Sequence, residues 1–200
     1  MVRTSPASHR LDTAGRKEGR AMEVPHREVE KIRASVRHCS GAAADGFIAE
    51  RMLGADATDL EKAEWVHGIV ADLERRFDEE IIRDIRKGCH CDEEGRLGEM
   101  KKWLGGLYRE SGSIEEFVAR VNGHGAGWYI EDGWLYTKFL TCECYMLRAV
   151  PRLSTKTWCH CTEGYTAALF RDVLGREVES ELVQTIKMGH EFCVVRIRIG

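Results

Sequence analysis

The hydrophobic period of this chain changes between Gly123 and Gly127, and that change limits the folds open to it. Before it, apolar residues recur at helical spacing; after it, strand-like alternation dominates around one further helix. Runs of helices followed by runs of strands predict an α+β fold with an antiparallel sheet. The sheet would consist of two hairpins with a helix packed between them.

The helical part reads in segments. Val29, Ile32, Val36 and Cys39 form one apolar face and predict a helix over His26 to Cys39. A short helical piece, Phe47 to Leu53, ends at Gly54. Thr58 and Glu61 have capping-box spacing. From there Val66, Ile69, Val70, Leu73 and Phe77 make a stripe that Ile81, Ile82 and Ile85 extend, with a kink allowed. Arg83, Arg86 and Lys87 suit the negative end of that helix, and Gly88 stops it. Leu97, Met100, Trp103, Leu104 and Leu107 predict another helix. Ser113 and Glu116 repeat the capping-box spacing ahead of Phe117, Val118 and Val121.

In the second part, Gly127 to Leu140 reads as a hairpin turning at Asp132-Gly133, residues that tolerate positive φ. Its second strand is expected to run on into Cys142-Glu143-Cys144-Tyr145. Thr157 to Cys161 reads as a short strand, and Thr162 as the cap of a helix ending at Gly175. Val178 to Ile186 and Phe192 to Ile199 predict a second antiparallel pair around Met188-Gly189. Residues 1–24 are polar and basic without a period and read as a solvated tail, leaving 25–200 as a single domain.

The chain has 200 residues, 43% of them hydrophobic and 32% charged, enough apolar content for a core. Thirty basic residues against 33 acidic ones give a net charge of −3, no reason to expect nucleic acid as a partner. No apolar run approaches the roughly 20 residues of a membrane span. GxGxxG, P-loop, GxSxG and HExxH patterns are missing, so nucleotide loops, serine hydrolysis and HExxH zinc chemistry lack support.

Cysteine is the outlier, with eight residues. Met1 to Pro6 is followed by polar and basic residues with no apolar stretch, so no secretory signal is expected. A reducing cytoplasm, where thiols stay free or hold metal, is the expected compartment. Six cysteines form three CxC pairs: Cys89/Cys91, Cys142/Cys144 and Cys159/Cys161. On a strand, residues i and i+2 share a face, so each pair would present two sulfurs together. Fourteen residues, 145–158, separate the second pair from the third, long enough to return on themselves.

Cys142, Cys144, Cys159 and Cys161 are therefore candidate ligands of one tetrahedral Zn²⁺, with an iron–sulfur cluster as the alternative. Cys89 and Cys91 could add ligands or form a second site. His90 and His160, between cysteines, would face away from the sulfurs. Cys39 and Cys193 read as core residues. Cys161 directly precedes the expected cap Thr162, and a helix start favours a thiolate, which suits a ligand and equally a nucleophile. Glu143, Glu163 and Glu181 are candidate bases. A dithiol redox protein would more usually carry CxxC.

Trp158-Cys-His-Cys-Thr-Glu-Gly-Tyr165, then Leu174-Gly175, Val178, Glu181-Leu182 and Gly189-His-Glu-Phe-Cys193, resemble the 4-vinyl reductase-like small-molecule-binding domain. The similarity is closer to an uncharacterised group of cysteine-rich bacterial proteins placed near the 2-amino-thiazoline-4-carboxylic acid hydrolases. It covers about residues 58–200. It implies an α+β fold, a ligand cavity and often a homodimer. That domain usually carries another Cys four residues before the hairpin glycine; here the position is Thr185, so no ligand role carries over to it. The leading expectation is a zinc module that binds or senses a small molecule. The alternative is a hydrolase of a C–N or cyclic amidine-like bond, using a metal-activated water or Cys161, with Glu181 among its bases.

Overall fold

The computed structural model describes residues 24–42, 44–90 and 95–199. Residues 1–23 of the proposed tail and Cys91 lie outside the described residues; Val24, its last residue, accepts from the Ala55 amide (3.0 Å).

Among the described residues, seven α-helices precede or interleave with four strands. They are α1 (Arg27–Ser40), α2 (Gly46–Ala49), α3 (Asp59–Arg76), α4 (Glu79–Gly88), α5 (Arg96–Arg109), α6 (Ile114–Asn122) and α7 (His160–Leu174). The strands are β1 (Tyr129–Glu131), β2 (Trp134–Phe139), β3 (Ser180–Gln184) and β4 (Cys193–Arg198). All pairings are antiparallel, in the order β1-β2-β4-β3. The fold is α+β, with α7 lying between the hairpins in sequence and packed on the sheet.

Local chemistry explains the boundaries. Thr58 and Glu61 form a full capping box at the start of α3. Ser113 caps α6 by accepting from the Glu116 amide, but the Glu116 carboxylate takes the Gly112 amide (2.8 Å) instead of closing the box on Ser113. Asp132 and Gly133 both have positive φ, 50° and 75°, and turn the first hairpin.

Several expected boundaries move. The long stripe after Thr58 is two helices rather than one. Phe77 is extended (φ −129°), and Asp78 caps a new helix by accepting from the Ile81 amide. Apolar phase alone hid this break because Ile81, Ile82 and Ile85 continue it. Strand β2 stops at Phe139, so Cys142 and Cys144 stand in a loop. Thr157–Cys159 is a 3-10 turn and not a strand, and it runs directly into α7, which begins at His160 with Cys159 as its cap and Thr162 inside it. The same-face argument for Cys159 and Cys161 therefore fails, since helical positions i and i+2 point in different directions.

Two cores result. The first joins α1, α3 and α4 to Met146, Leu147, Val150, Trp158 and Cys159. The second joins α5, α6 and the later turns of α7 to Leu135 and Ile197 of the sheet. Among the described residues no helix is long and apolar enough to cross a membrane.

Candidate functional site

The cysteines meet where the end of α4 faces the start of α7. Two glycines make that approach possible. A Cβ on Gly88 would sit 2.4 Å from Ser35 Oγ, and one on Gly164 would sit 2.1 Å from the Lys87 carbonyl oxygen. Helix α4 is thus packed between α1 and α7, and the backbone contact at Gly164 is one that only glycine permits. Ser35 completes the first contact by donating from Oγ to the Ile85 carbonyl (2.6 Å).

This joint brings Cys89, just past the end of α4, into electrostatic reach of Cys161 in the first turn of α7. Cys89 is fully buried, and its thiol donates to the Ile85 carbonyl (3.2 Å). Cys159 is buried within electrostatic reach of Cys161, Cys193 and Cys144. Cys144 comes from the loop after β2 and caps the 3-10 turn Tyr145–Leu147. Lys187 fixes that loop by donating Nζ to the carbonyls of Leu147 (2.8 Å) and Val150 (2.6 Å). Cys142 and Cys193 are within reach of each other, and the Cys193 sulfur accepts from the Ile186 amide (3.3 Å).

No disulfide joins the described cysteines. Burial pushes the Cys89 thiol up to about 11, although Arg86 works against the shift. Burial likewise raises Cys159 and Cys193. Thr185, where the resembled domain would carry a further Cys, is itself buried and hydrogen-bonded to Cys159. Among the described residues, no three His, Cys, Asp or Glu side chains stand ready-arranged around a metal position.

Arg86 lies inside this group. It is 1% exposed, and its Nε and Nη2 donate to the Trp158 carbonyl (3.3 and 3.0 Å). The guanidinium carbon lies 3.9 Å from the centroid of the Trp158 ring, a cation–π contact. Burial opposes its charge, while Cys89, Cys161, Glu28 and Cys144 favour it and raise its pKa. The sequence placed Arg86 only as a last-turn cation. A sharper signal was available, because Arg86 falls in phase with Ile82 and Cys89 on the buried stripe.

His160 and Glu163 form a separate knot on the same turn of α7. The fully buried Glu163 takes Arg83 Nε (2.9 Å) and Nη2 (2.6 Å) on Oε1, and His160 Nδ1 (2.9 Å) on Oε2. Ser180 Oγ (3.3 Å) and Lys87 Nζ (3.5 Å) complete its surroundings. Burial would raise this carboxyl; the bonds from His160 and Arg83, with the charges of Arg83 and Lys87, overcome it and hold the group at about 2. Glu163 is thus a fixed carboxylate rather than a proton acceptor near neutral pH. Glu181 accepts from Arg196 Nε (2.7 Å), and Glu143 pairs with Arg96. His160 also lines an open cleft of about 340 Å³ with Glu74, Phe77, Ile82, Thr155 and Thr157. Thr155 and Thr157 both donate to Glu74 Oε1 there (2.6 and 2.7 Å).

No curated protein matches the chain. A family model does, over residues 24–199, a span that takes in both cores and every described cysteine. The chain belongs to this family, DUF6144, a family of unknown function.

Proposed function

We propose that the protein is a thiolate metal-binding module, with Zn²⁺ held by Cys89, Cys144, Cys159 and Cys161. The observation that supports this reading is that cysteines from three separate CxC motifs come within electrostatic reach of one buried neighbourhood, Cys89 of Cys161 and Cys144 of Cys159. The set differs from Cys142, Cys144, Cys159 and Cys161 by exchanging Cys142, which lies near Cys193, for Cys89. Loading would deprotonate the thiols and draw them to about 2.3 Å from the ion. A four-thiolate site leaves no open position for water, which favours a binding or sensing role over hydrolysis. The cleft at His160 and Thr157, next to Cys159, is where a small molecule would register on the site.

The test is elemental analysis and a visible spectrum of the protein purified from cells without added metal. The expected result is about one zinc per chain and no colour, with zinc content lost and the melting temperature lowered in Cys161→Ser. Iron with a visible absorption would replace zinc by an iron–sulfur cluster. Absence of any stoichiometric metal, or full zinc occupancy in Cys161→Ser, would overturn this ligand set.

A further inference from the structure

The cleft of about 340 Å³ between the end of α3, the start of α4 and the turn before α7 carries polar groups that the fold does not use up. His160 is 4% exposed, and its Nδ1 meets Glu163 Oε2 at 2.9 Å. Glu163 also takes Arg83 on Oε1, so it accepts as a carboxylate and keeps the imidazole proton on Nδ1. In a neutral ring Nε2 is then an acceptor. Among the described residues Nε2 takes part in no hydrogen bond, yet it is not one of the unpartnered nitrogens sealed in the interior, which are Arg86 Nη1 and Trp158 Nε1. The ring lines the cleft, so that is where Nε2 is open. Glu74 takes the hydroxyls of Thr155 and Thr157 both on Oε1 (2.6 and 2.7 Å), which occupies the two hydroxyl protons and leaves Oε2 to a further donor. Two carboxylates, Glu74 and Glu79, line the cleft against one cation, Lys156, and Phe77 and Ile82 form an apolar wall.

Open acceptors beside excess negative charge call for a ligand that donates without accepting. A primary ammonium does so, with three N–H bonds, no lone pair and a positive charge. A neutral hydroxyl brings one donor and no charge, and an anion would meet Glu74 and Glu79. We infer that the cleft is a binding site for a small organic ammonium, with Glu74 Oε2 and His160 Nε2 as its acceptors and the Phe77–Ile82 wall against its apolar body. This assignment rests on the cleft in the reading above and not on the metal proposed beside it. The buried contact with Glu163 holds the ring in place before a ligand arrives, which removes part of the ordering cost of binding. The volume lies near the lower end of the roughly 300–1,000 Å³ usual for ligand pockets, which suits a body of about one ring.

The probe is 2-phenylethylamine, with 2-phenylethanol as a neutral control of the same shape. Both are titrated into the full chain at about pH 8, between the ordinary ranges of an imidazole and a primary amine. Binding is read by calorimetry and from saturable shifts of the His160 ring-nitrogen resonances. The amine is expected to bind at least about 10-fold more tightly than the alcohol and to move the Nε2 signal more than the Nδ1 signal. Glu74→Gln, an exposed change that keeps an acceptor for both threonines, should weaken the amine about 10-fold and leave the alcohol unchanged. Glu64→Gln, in the other open groove beside Trp65, should change neither. Equal binding of amine and alcohol, no saturable shift at His160, or an effect of Glu64→Gln in place of Glu74→Gln would overturn the assignment. Where Glu74→Gln does not fold, the amine-to-alcohol ratio and the His160 shifts of the parent protein decide. Zinc content is measured on the same sample: amine binding without zinc supports this assignment and removes only the metal reading, and zinc without amine binding overturns this assignment alone.

Discussion

The core around α1, α3 and α4 and the core around α5, α6 and α7 bury different chemistry. In the first, Val29, Ile32, Ile69 and Leu73 share the interior with Cys89 and Cys159, while Cys39, Cys142 and Cys144 pack against its edge. Glu28, Ser35 and Arg86 are buried in the same half. The second is made of Leu97, Leu104, Phe117, Val121, Leu135, Phe170 and Ile197, and contains no cysteine. Its aromatic rings meet edge to face, with Phe117 5.4 Å from Tyr108 and 6.3 Å from Trp128. A core built only for stability excludes polar groups, because each one buried needs a partner. The first half accepts that cost at Glu28, Ser35 and Arg86, and the second supplies mainly apolar burial. The contrast teaches where to look for function, since polar groups held in a core need a reason that packing does not give.

The largest test of this division is Phe117→Ala. Removing that ring leaves a cavity and should cost about 3–5 kcal/mol in denaturant unfolding. Metal content of the folded fraction should stay that of the parent. Loss of metal in molecules that remain folded would break the division between the two halves.

Next in size is the acid response of the Glu163 knot. Its carboxyl sits at about 2 in the folded protein, below its ordinary value of 4.5. As the pH falls, the unfolded chain therefore takes up this proton first. The contribution is complete above about 4.5 and disappears between there and 2, on the order of 3 kcal/mol in all. Glu163→Gln should flatten stability against pH in that window. An unchanged slope would show that other carboxylates govern acid unfolding.

Smaller in free energy, but sharper in what it separates, is Gly164→Ala. The added methyl meets the Lys87 carbonyl and must push α7 from α4, at about 1–3 kcal/mol. The shift moves Cys161 away from Cys89, so metal retention should fall further than that loss alone would bring about. Parent-like retention would show that the joint does not set the thiol geometry.

Much of the fold was legible in the sequence because it was written locally. Thr58/Glu61, Asp132-Gly133 and the stripes of α1, α5 and α6 each carry their signal within a few residues. The division at Phe77 and Asp78 was less visible, since an apolar stripe in phase across two helices outweighed a single capping Asp followed by two glutamates. The start of α7 was misread for a related reason. Its cap, Cys159, makes no side-chain capping bond, and the turn before it contains the buried Trp158, so Thr157 to Cys161 has the look of a strand. The candidate site was legible as composition and not as geometry. The CxC spacing identified the residues, but the meeting of Cys89 with Cys161 depends on the Gly164–Lys87 contact, which joins residues far apart in the chain. The burial of Arg86 is likewise a tertiary fact.

Helix α7 reaches both halves, as does strand β4, which places Val195 in the first core and Ile197 in the second. Its first turn holds Cys161, His160 and Glu163, and its later turns place Ala168, Leu169, Phe170 and Val173 in the apolar core. A rigid rod anchored at both ends cannot be released at one without disturbing the other. The two halves are therefore expected to melt as a single cooperative unit in spite of their different interiors, which coincident transitions followed by different probes would check.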